Sequence, residues 1–116
     1  MPSYRDLLQA VKAEIAEIDA QSAKALLDGA AAPVLVDVRE LDEWEQGHLP
    51  GAVHVVRGFL ESRIEQVAPD RAAPLIVYCA GGARSAFAAR TLQDLGYADV
   101  RSLAGGFTDW KRNGFD

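Results

Sequence analysis

Short runs of apolar residues alternate along the chain with stretches in which apolar residues recur every three or four positions. The runs predict buried strands, and the spaced stretches predict amphipathic helices. Strands and helices that alternate at short spacing favour an α/β fold with a parallel sheet covered on both faces. Strands are predicted at 14–18, 34–38, 52–56, 75–78 and 99–103, and helices at 20–27, 39–46, 57–67, from 84 or 85 to 95, and after Gly105.

The residues before the first strand predict an additional amphipathic helix. Ser3 is placed to cap it, and one helical face carries Tyr4, Leu7, Leu8, Val11 and Ile15. The chain has no repeat, low-complexity segment or internal linker. We therefore predict one domain over 1–116, of which 1–13 is an N-terminal helical extension.

Composition and charge narrow the functional class. The 116 residues are 49% hydrophobic and 25% charged, as in ordinary globular domains. A net charge of −5 without a basic run argues against nucleic acid or an anionic membrane as partner. One cysteine cannot form an internal disulfide, and the chain has no apolar run of about 18 residues. The start of the chain predicts a helix instead of a signal peptide, so the expected location is cytoplasmic.

The stretch 75–85 carries the candidate chemistry. A predicted strand leads into Cys79, the small residues 80–83 let backbone N–H groups point inward, and a helix follows. A thiol at a helix N-terminus is stabilised as its thiolate, which is the reactive form. On position alone, a buried and inert cysteine beside a helix turn explains the same pattern equally well.

Polar residues at other strand ends favour the reactive cysteine. In open α/β sheets, ligands bind outside the carboxyl ends of the strands. Asp37 and Arg39 lie at the end of the second strand, and Arg57 follows the third. Three chain-distant groups are thus expected to share one crevice with Cys79.

Three segments resemble the rhodanese (sulfurtransferase) family over most of the chain. They are LVDVRE at 35–40 with EW at 43–44 and GHLPGA at 47–52, then YCAGGARS at 78–85, then GGF at 105–107 with Trp110. The resemblance implies a rhodanese-like α/β fold: a five-stranded parallel sheet flanked by helices on both faces, here with an extra N-terminal helix.

The resemblance also implies a reaction. The cysteine matching Cys79 attacks a sulfur donor such as thiosulfate and becomes a persulfide, from which a nucleophilic acceptor takes the outer sulfur. A thiolate and a cradle of amides suit an anionic donor. No cofactor or metal is implied. The substrate-binding residues are expected to be Ala80, Gly81, Gly82, Ala83, Arg84, Ser85 and Arg57.

The individual roles within that set differ. Ser85 either donates its hydroxyl to the sulfur or caps the helix. Arg84 either pairs with the charge of the donor or, as we favour, forms a salt bridge to an acidic surface residue. Arg57 is a candidate for recruiting an anion to the crevice.

Other polar and aromatic residues are expected to be structural. Asp37 and Arg39 should form a buried ion pair that supports the site. His48 and His54 should each satisfy a loop or strand hydrogen bond, because two histidines and one cysteine without tight spacing make a poor metal site. Trp44 and Trp110 are expected in the core.

The N-terminal helix and the run 57–61 resemble rhodanese domains that work beside adenylating enzymes of sulfur-carrier pathways. This implies a sulfur-carrier protein or an adenylating enzyme as partner, in addition to a small donor such as thiosulfate, polysulfide or a thiol persulfide. A persulfide carrier or binding module that only delivers sulfur to a partner is the alternative of a different class.

A cysteine-dependent phosphatase is the nearest rival enzyme, since one phosphatase branch shares the fold. Its loop places five residues between cysteine and arginine, sized for phosphate, whereas only the four residues 80–83 separate Cys79 from Arg84. The shorter loop favours sulfur transfer. Arsenate reduction, which uses similar thiol chemistry, is a further alternative.

Overall fold

The computed structural model describes residues 3–115 and contains one five-stranded parallel sheet with helices on both faces, which confirms the predicted fold class. The strands are β1 (Ala16–Ile18), β2 (Val34–Asp37), β3 (Val53–His54), β4 (Leu75–Tyr78) and β5 (Val100–Leu103). The helices are α1 (Tyr4–Glu14), α2 (Ala20–Leu27), α3 (Leu41–Glu45), α4 (Leu60–Val67), α5 (Ala83–Asp94) and α6 (Gly106–Arg112), and a 3₁₀ turn (Arg57–Phe59) precedes α4.

Strand β4 lies at the centre of the sheet, whose order is β1-β5-β4-β2-β3. All four of its residues are buried, which explains why its sequence is apolar without alternation. Its Val77 pairs with Val36 on one side and with Ser102 on the other. The central strand therefore delivers Cys79, the next residue, to the middle of the carboxyl edge of the sheet.

Two apolar clusters fill the space between the sheet and its helices. The first contains residues of α4 and α5 with one set of strand side chains, among them Val77 and Cys79. The second contains residues of α2 and α6 with the opposite set, among them Ile76 and Tyr78. Helix α5 presents alanines to the sheet, and these small side chains allow a close approach: Ala86, Ala88 and Ala89 are fully buried.

The N-terminal helix α1 packs on the outside of α5. Ser3 and Asp6 form a capping box at its start. At its other end, the Glu14 carboxylate accepts from Arg90, and its carbonyl accepts from Gln93. Val11 is buried, whereas Tyr4 and Leu7 of the predicted apolar face are exposed.

Several predictions on the segment before β4 differ from the structure. Strand β3 has two residues where 52–56 was predicted, and α3 is shorter than 39–46. The predicted helix over 57–67 begins instead as a 3₁₀ turn, which shifts the helical phase. Phe59 was predicted on its apolar side and is 51% exposed beneath the guanidinium of Arg63.

The tryptophans divide between core and surface. Trp110 is buried, as predicted. Trp44 is only half-buried, because it lies on the short α3 and stacks on two histidine rings instead of the core. The prediction of a core position for Trp44 is therefore wrong.

No helix within residues 3–115 is long and apolar enough to cross a membrane. The extent of the domain over 1–116 and its cytoplasmic location stay predictions.

Candidate active site

The sulfur of Cys79 lies inside a tight loop that connects β4 to α5. Two backbone N–H groups donate to it, that of Gly82 at 3.1 Å and that of Ser85 at 3.3 Å, and the thiol itself donates to the Ser85 hydroxyl oxygen at 3.5 Å. Cys79 is only 1% exposed, so these contacts are shielded from water. Such donors stabilise negative charge on the sulfur.

Glycine is required at position 82 because its φ of 105° is one that side chains rarely adopt. Gly82 is also the N-cap residue of α5, which begins at Ala83 with no side-chain cap. Ser85 therefore does not cap the helix. The structure places its hydroxyl 3.5 Å from Cys79 Sγ, and donation of that hydroxyl to the sulfur stays a prediction.

The N-terminus of α6 fixes the loop from the opposite side. The Phe107 N–H donates to the carbonyl of Cys79 at 2.8 Å, and the Thr108 N–H donates to that of Ala80 at 3.1 Å. A Cβ at Gly106 would collide with the same two carbonyls. With its carbonyls held outward by α6, the loop turns its amides inward to the sulfur.

The predicted ion pair of Asp37 and Arg39 is present and buried. The Arg39 Nη2 atom lies 2.8 Å from Asp37 Oδ2 and donates to the Gly47 carbonyl at 2.7 Å. The guanidinium also lies 4.4 Å from the ring centre of Phe107. Burial acts to lower the pKa of Arg39, but the hydrogen bond and charge of Asp37 raise it overall. The pair thus connects the end of β2 to the start of α6.

Arg84 forms a salt bridge with Glu43 of α3, in agreement with the role that we favoured. Two hydrogen bonds join their side chains, at 2.7 and 3.0 Å. The hydrogen bond from Arg84 lowers the pKa of Glu43 to about 2. The pKa of Arg84 is raised, chiefly by this hydrogen bond, with a smaller contribution from the charge of Cys79. The Arg84 side chain is therefore turned toward α3 and held there by Glu43.

Arg57 is held beside the site by other partners. Its guanidinium donates to Glu61 at 3.0 Å and to Thr91 of α5 at 3.1 Å. Neither partner belongs to the loop 79–85. The structure thus places Arg57 at the α4–α5 side of the sheet, and recruitment of an anion by this residue stays a prediction.

Both histidines make the hydrogen bonds that were predicted for them. His48 Nδ1 donates to the Leu49 carbonyl at 3.0 Å, and His54 Nε2 donates to the Arg39 carbonyl at 2.7 Å. Their rings stack on Trp44 with centroids 3.6 and 4.9 Å away. Within residues 3–115, no group of three or more His, Cys, Asp or Glu residues is placed to hold a metal ion.

Two concave regions of the surface lie away from Cys79. One, of about 170 Å³, is lined by residues at the amino ends of β4 and β5, including Pro74 and Asp99. The other, of about 350 Å³, lies between α2 and α6 beside Pro50. Neither is lined by the cysteine or its loop, so the candidate site is identified by its converging donors and not by its volume.

Two parts of this site were not predicted from the sequence. Ser102 of β5 is fully buried, and its hydroxyl lies 2.8 Å from that of Ser85. A polar residue on the same face of β5 as the apolar residue Val100 was the available signal. The contact of the α6 amides with the loop was also missed, since a backbone hydrogen bond leaves no side-chain pattern.

Comparisons with known proteins match most of the chain. The family model of the rhodanese-like domain matches residues 19–113. A Bacillus subtilis protein named "Putative sulfur carrier protein YrkF" is 33% identical over 96 residues, which are 83% of this chain and 51% of that protein. The chain thus spans about half the length of YrkF.

A thiosulfate sulfurtransferase, GlpE of Coxiella burnetii, is 37% identical over 78 residues, covering 67% of this chain and 71% of that protein. Among solved structures, a Rhodopseudomonas palustris protein named as a possible tyrosine phosphatase superposes with a TM-score of 0.91 at 32% identity. That superposition covers 98% of this chain and 92% of the other, so it includes the N-terminal helix.

Proposed function

The chain belongs to the rhodanese-like domain family of sulfurtransferases, and we propose that it transfers sulfane sulfur through a persulfide on Cys79. The observation that supports this most directly is the pair of backbone N–H donors, with the Ser85 hydroxyl beside them, around one buried sulfur. The N–H groups favour an anion at Sγ, which is the form in which the cysteine attacks the donor and the form to which it returns when the outer sulfur is removed.

The first half-reaction loads the cysteine. The Cys79 thiolate attacks the outer sulfur of thiosulfate, a new S–S bond forms at Sγ, and the S–S bond of the donor breaks. The electron pair of the broken bond leaves with sulfite. The amides of Gly82 and Ser85 already point at the position where the negative sulfur lies, so little rearrangement accompanies the attack.

The second half-reaction unloads the cysteine. A nucleophile attacks the outer sulfur, and the electron pair of the breaking bond returns to Sγ as the thiolate. Cyanide serves as this nucleophile in an assay and becomes thiocyanate. In this proposal, residues 80–83 form the rim that the donor passes, and their small side chains leave room for it.

The identity of the physiological partners forms part of the proposal. Similarity to GlpE supports thiosulfate as a donor, and similarity to YrkF supports delivery of sulfur to or from a carrier protein. Delivery to a partner, with slow turnover of small molecules, uses the same persulfide.

Intact-mass measurement after incubation with thiosulfate or polysulfide tests the proposal. We expect one added sulfur atom on the wild-type chain, and none on Cys79→Ser, because Cys79 is the only cysteine. Wild-type protein alkylated beforehand is the matched control for the chemical treatment. An adduct that persists on Cys79→Ser, or its absence from the wild type, would contradict the proposal.

Phosphate hydrolysis is the second candidate, because a close structural neighbour is named as a possible tyrosine phosphatase. In this chain only the four residues 80–83 separate Cys79 from Arg84, one fewer than in the phosphatase loop, and the Arg84 side chain is turned toward Glu43. We expect no hydrolysis of a generic aryl phosphate, together with formation of thiocyanate from thiosulfate and cyanide. The opposite pair of results would favour the phosphatase.

A further inference from the structure

A buried serine on the strand beside Cys79 has no role in the mechanism above. Ser102 follows the apolar residue Val100 on the same face of β5 and lies opposite Val77 of β4. This row of side chains faces the alanines of α5, where an apolar residue is expected at each position. The hydroxyl of Ser102 is fully buried, so any hydrogen bond that it makes is with protein.

Ser102 has one hydrogen-bonding partner for its side chain among residues 3–115, the hydroxyl of Ser85 at 2.8 Å. The Ser85 hydroxyl is in turn 3.5 Å from Cys79 Sγ. The three atoms thus form a short chain, from the Ser102 hydroxyl through the Ser85 hydroxyl to the sulfur. Either hydroxyl can supply the hydrogen that lies between the two oxygens.

When the sulfur is anionic, the number of hydroxyl hydrogens decides which group donates in each of these two hydrogen bonds. A thiolate or persulfide anion accepts hydrogen bonds and donates none. If Ser85 donates to the sulfur, Ser102 donates to Ser85, and both hydroxyl hydrogens have acceptors. If Ser85 donated to Ser102 instead, the hydrogen of Ser102 would have no acceptor and the sulfur would lose a donor. An unsatisfied buried polar group is costly, which excludes the second arrangement.

We propose that Ser102 is a positioning residue, which turns the hydroxyl hydrogen of Ser85 toward Cys79 Sγ and thereby stabilises the anionic sulfur. The inference deepens the proposed function, because it rests on Cys79 reacting as a thiolate and persulfide. Consecutive hydrogen bonds also polarise one another, so donation by Ser102 strengthens donation by Ser85.

Loss of Ser102 gives the hydroxyl of Ser85 other options. A serine in the first turn of a helix can rotate to donate to a carbonyl three or four residues earlier. For Ser85 these are the carbonyls of Gly82 and Gly81. Without Ser102, the Ser85 hydroxyl donates part of the time to such a carbonyl and part of the time to the sulfur. The thiolate of Cys79 is then less stabilised.

The test measures the thiolate of the free protein by its ultraviolet absorbance, with Cys79→Ser as the blank. The working pH is that at which half of the wild-type thiolate is present. In Ser102→Ala, we expect the ratio of thiolate to thiol to fall about threefold, as for the weakening of one hydrogen bond. Ser62→Ala removes an exposed serine hydroxyl and should leave the ratio unchanged.

A double-mutant cycle with Ser85→Ala separates positioning from a general loosening of the core. Because Ser102 acts through Ser85, Ser102→Ala should change the ratio little in a Ser85→Ala background. Melting temperatures of all variants establish that they fold. An unchanged ratio in the single variant, or an equal fall in both backgrounds, would overturn the inference.

The result is separable from that of the proposed function. The absorbance is measured without a sulfur donor, whereas the proposed function is tested by the added sulfur mass. A wild type that forms the persulfide while Ser102→Ala keeps its thiolate refutes only the role of Ser102. A wild type that forms no persulfide refutes the sulfur-transfer proposal, whatever the absorbance shows.

Discussion

Two arginine–carboxylate pairs flank the Cys79 loop, and they differ in burial far more than in geometry. Asp37 and Arg39 lie 2.8 Å apart with side chains 0% and 5% exposed, and Glu43 and Arg84 lie 2.7 Å apart with side chains 30% and 40% exposed. Similar distances therefore describe two interactions with different energies. The first pair is buried next to Phe107 of α6, and the second pair is partly exposed to solvent.

Burial makes the first pair a structural support. The guanidinium of Arg39 is surrounded by Asp37, the Gly47 carbonyl and the ring of Phe107, whose amide holds the loop. Removal of either partner leaves an uncompensated charge where water cannot solvate it. We therefore assign Arg39 a structural role.

Exposure makes the second pair able to open. A partly exposed pair contributes on the order of 1 kcal/mol or less, because water solvates both groups when they separate. Separation of Arg84 from Glu43 therefore costs little, and in the proposed function the freed guanidinium attracts an anionic donor. The comparison assigns support of the loop to the buried pair and tuning of the site to the exposed pair.

The largest effect should follow from breaking the buried pair. Asp37→Asn keeps the shape of the side chain but leaves the charge of Arg39 unpaired, and we expect a loss of about 3 kcal/mol in the free energy of unfolding. Asp99→Asn is the matched control, since Asp99 directly precedes β5 and its partly exposed side chain lies 3.6 Å from Arg101. Its cost should stay below about 1 kcal/mol.

Urea unfolding of the two variants measures this contrast. Equal losses would show that burial does not distinguish the pairs, and the assignment of Asp37 and Arg39 to support would fail.

A smaller effect should follow from releasing Arg84. Glu43→Gln removes the charge of the carboxylate but retains an acceptor for the N–H of Glu40 at the start of α3. We expect the KM for thiosulfate to fall about threefold while kcat changes little, because the freed guanidinium attracts the anion in ground and transition states alike.

Glu45→Gln removes the same charge from an exposed position of α3 and is the matched control. Steady-state kinetics with thiosulfate and cyanide supply the measurement. If both variants lower KM equally, net charge explains the effect and Arg84 has no special place in it.

The sequence reveals the buried pair more readily than the exposed one, for a physical reason. Asp37 is a charged residue at the end of an apolar strand, so burial demands a partner, and Arg39 is two residues away. Glu43 and Arg84 are 41 residues apart, and each lies among several possible partners of opposite charge. The salt bridge of Arg84 was predicted in kind, but only the packing of α3 beside the loop identifies Glu43.

The same distinction applies to the sulfur itself. The cysteine, its small neighbours and the helix that follows are local in sequence, and from them the cradle of Gly82 and Ser85 could be predicted. Ser102 and the amides of α6 reach the loop only through the order of strands β4 and β5 and the return of the chain at Gly106. The local pattern thus predicts the candidate reactive group, whereas the contacts from β5 and α6 that support it depend on the topology.

The smallest expected effect is the pH dependence of the exposed pair. The hydrogen bond from Arg84 lowers the pKa of Glu43 from 4.5 to about 2 in the folded chain. A lowered folded-state pKa means that the stability from this pair is fully present above about pH 4.5 and is lost as the pH falls through about 2. The free-energy difference between wild type and Glu43→Gln, measured by urea unfolding, should therefore shrink across that window.

Because both groups are partly exposed, the whole change should not exceed about 1 kcal/mol, and high salt should reduce it further. Glu45→Gln, measured over the same range, corrects for the general loss of negative charge in acid. A difference for Glu43→Gln that is constant between about pH 5 and pH 2 would mean that the carboxylate titrates alike in folded and unfolded chains. Arg84 would then not stabilise the Glu43 carboxylate, and the assignment of this pair to tuning of the site would fail.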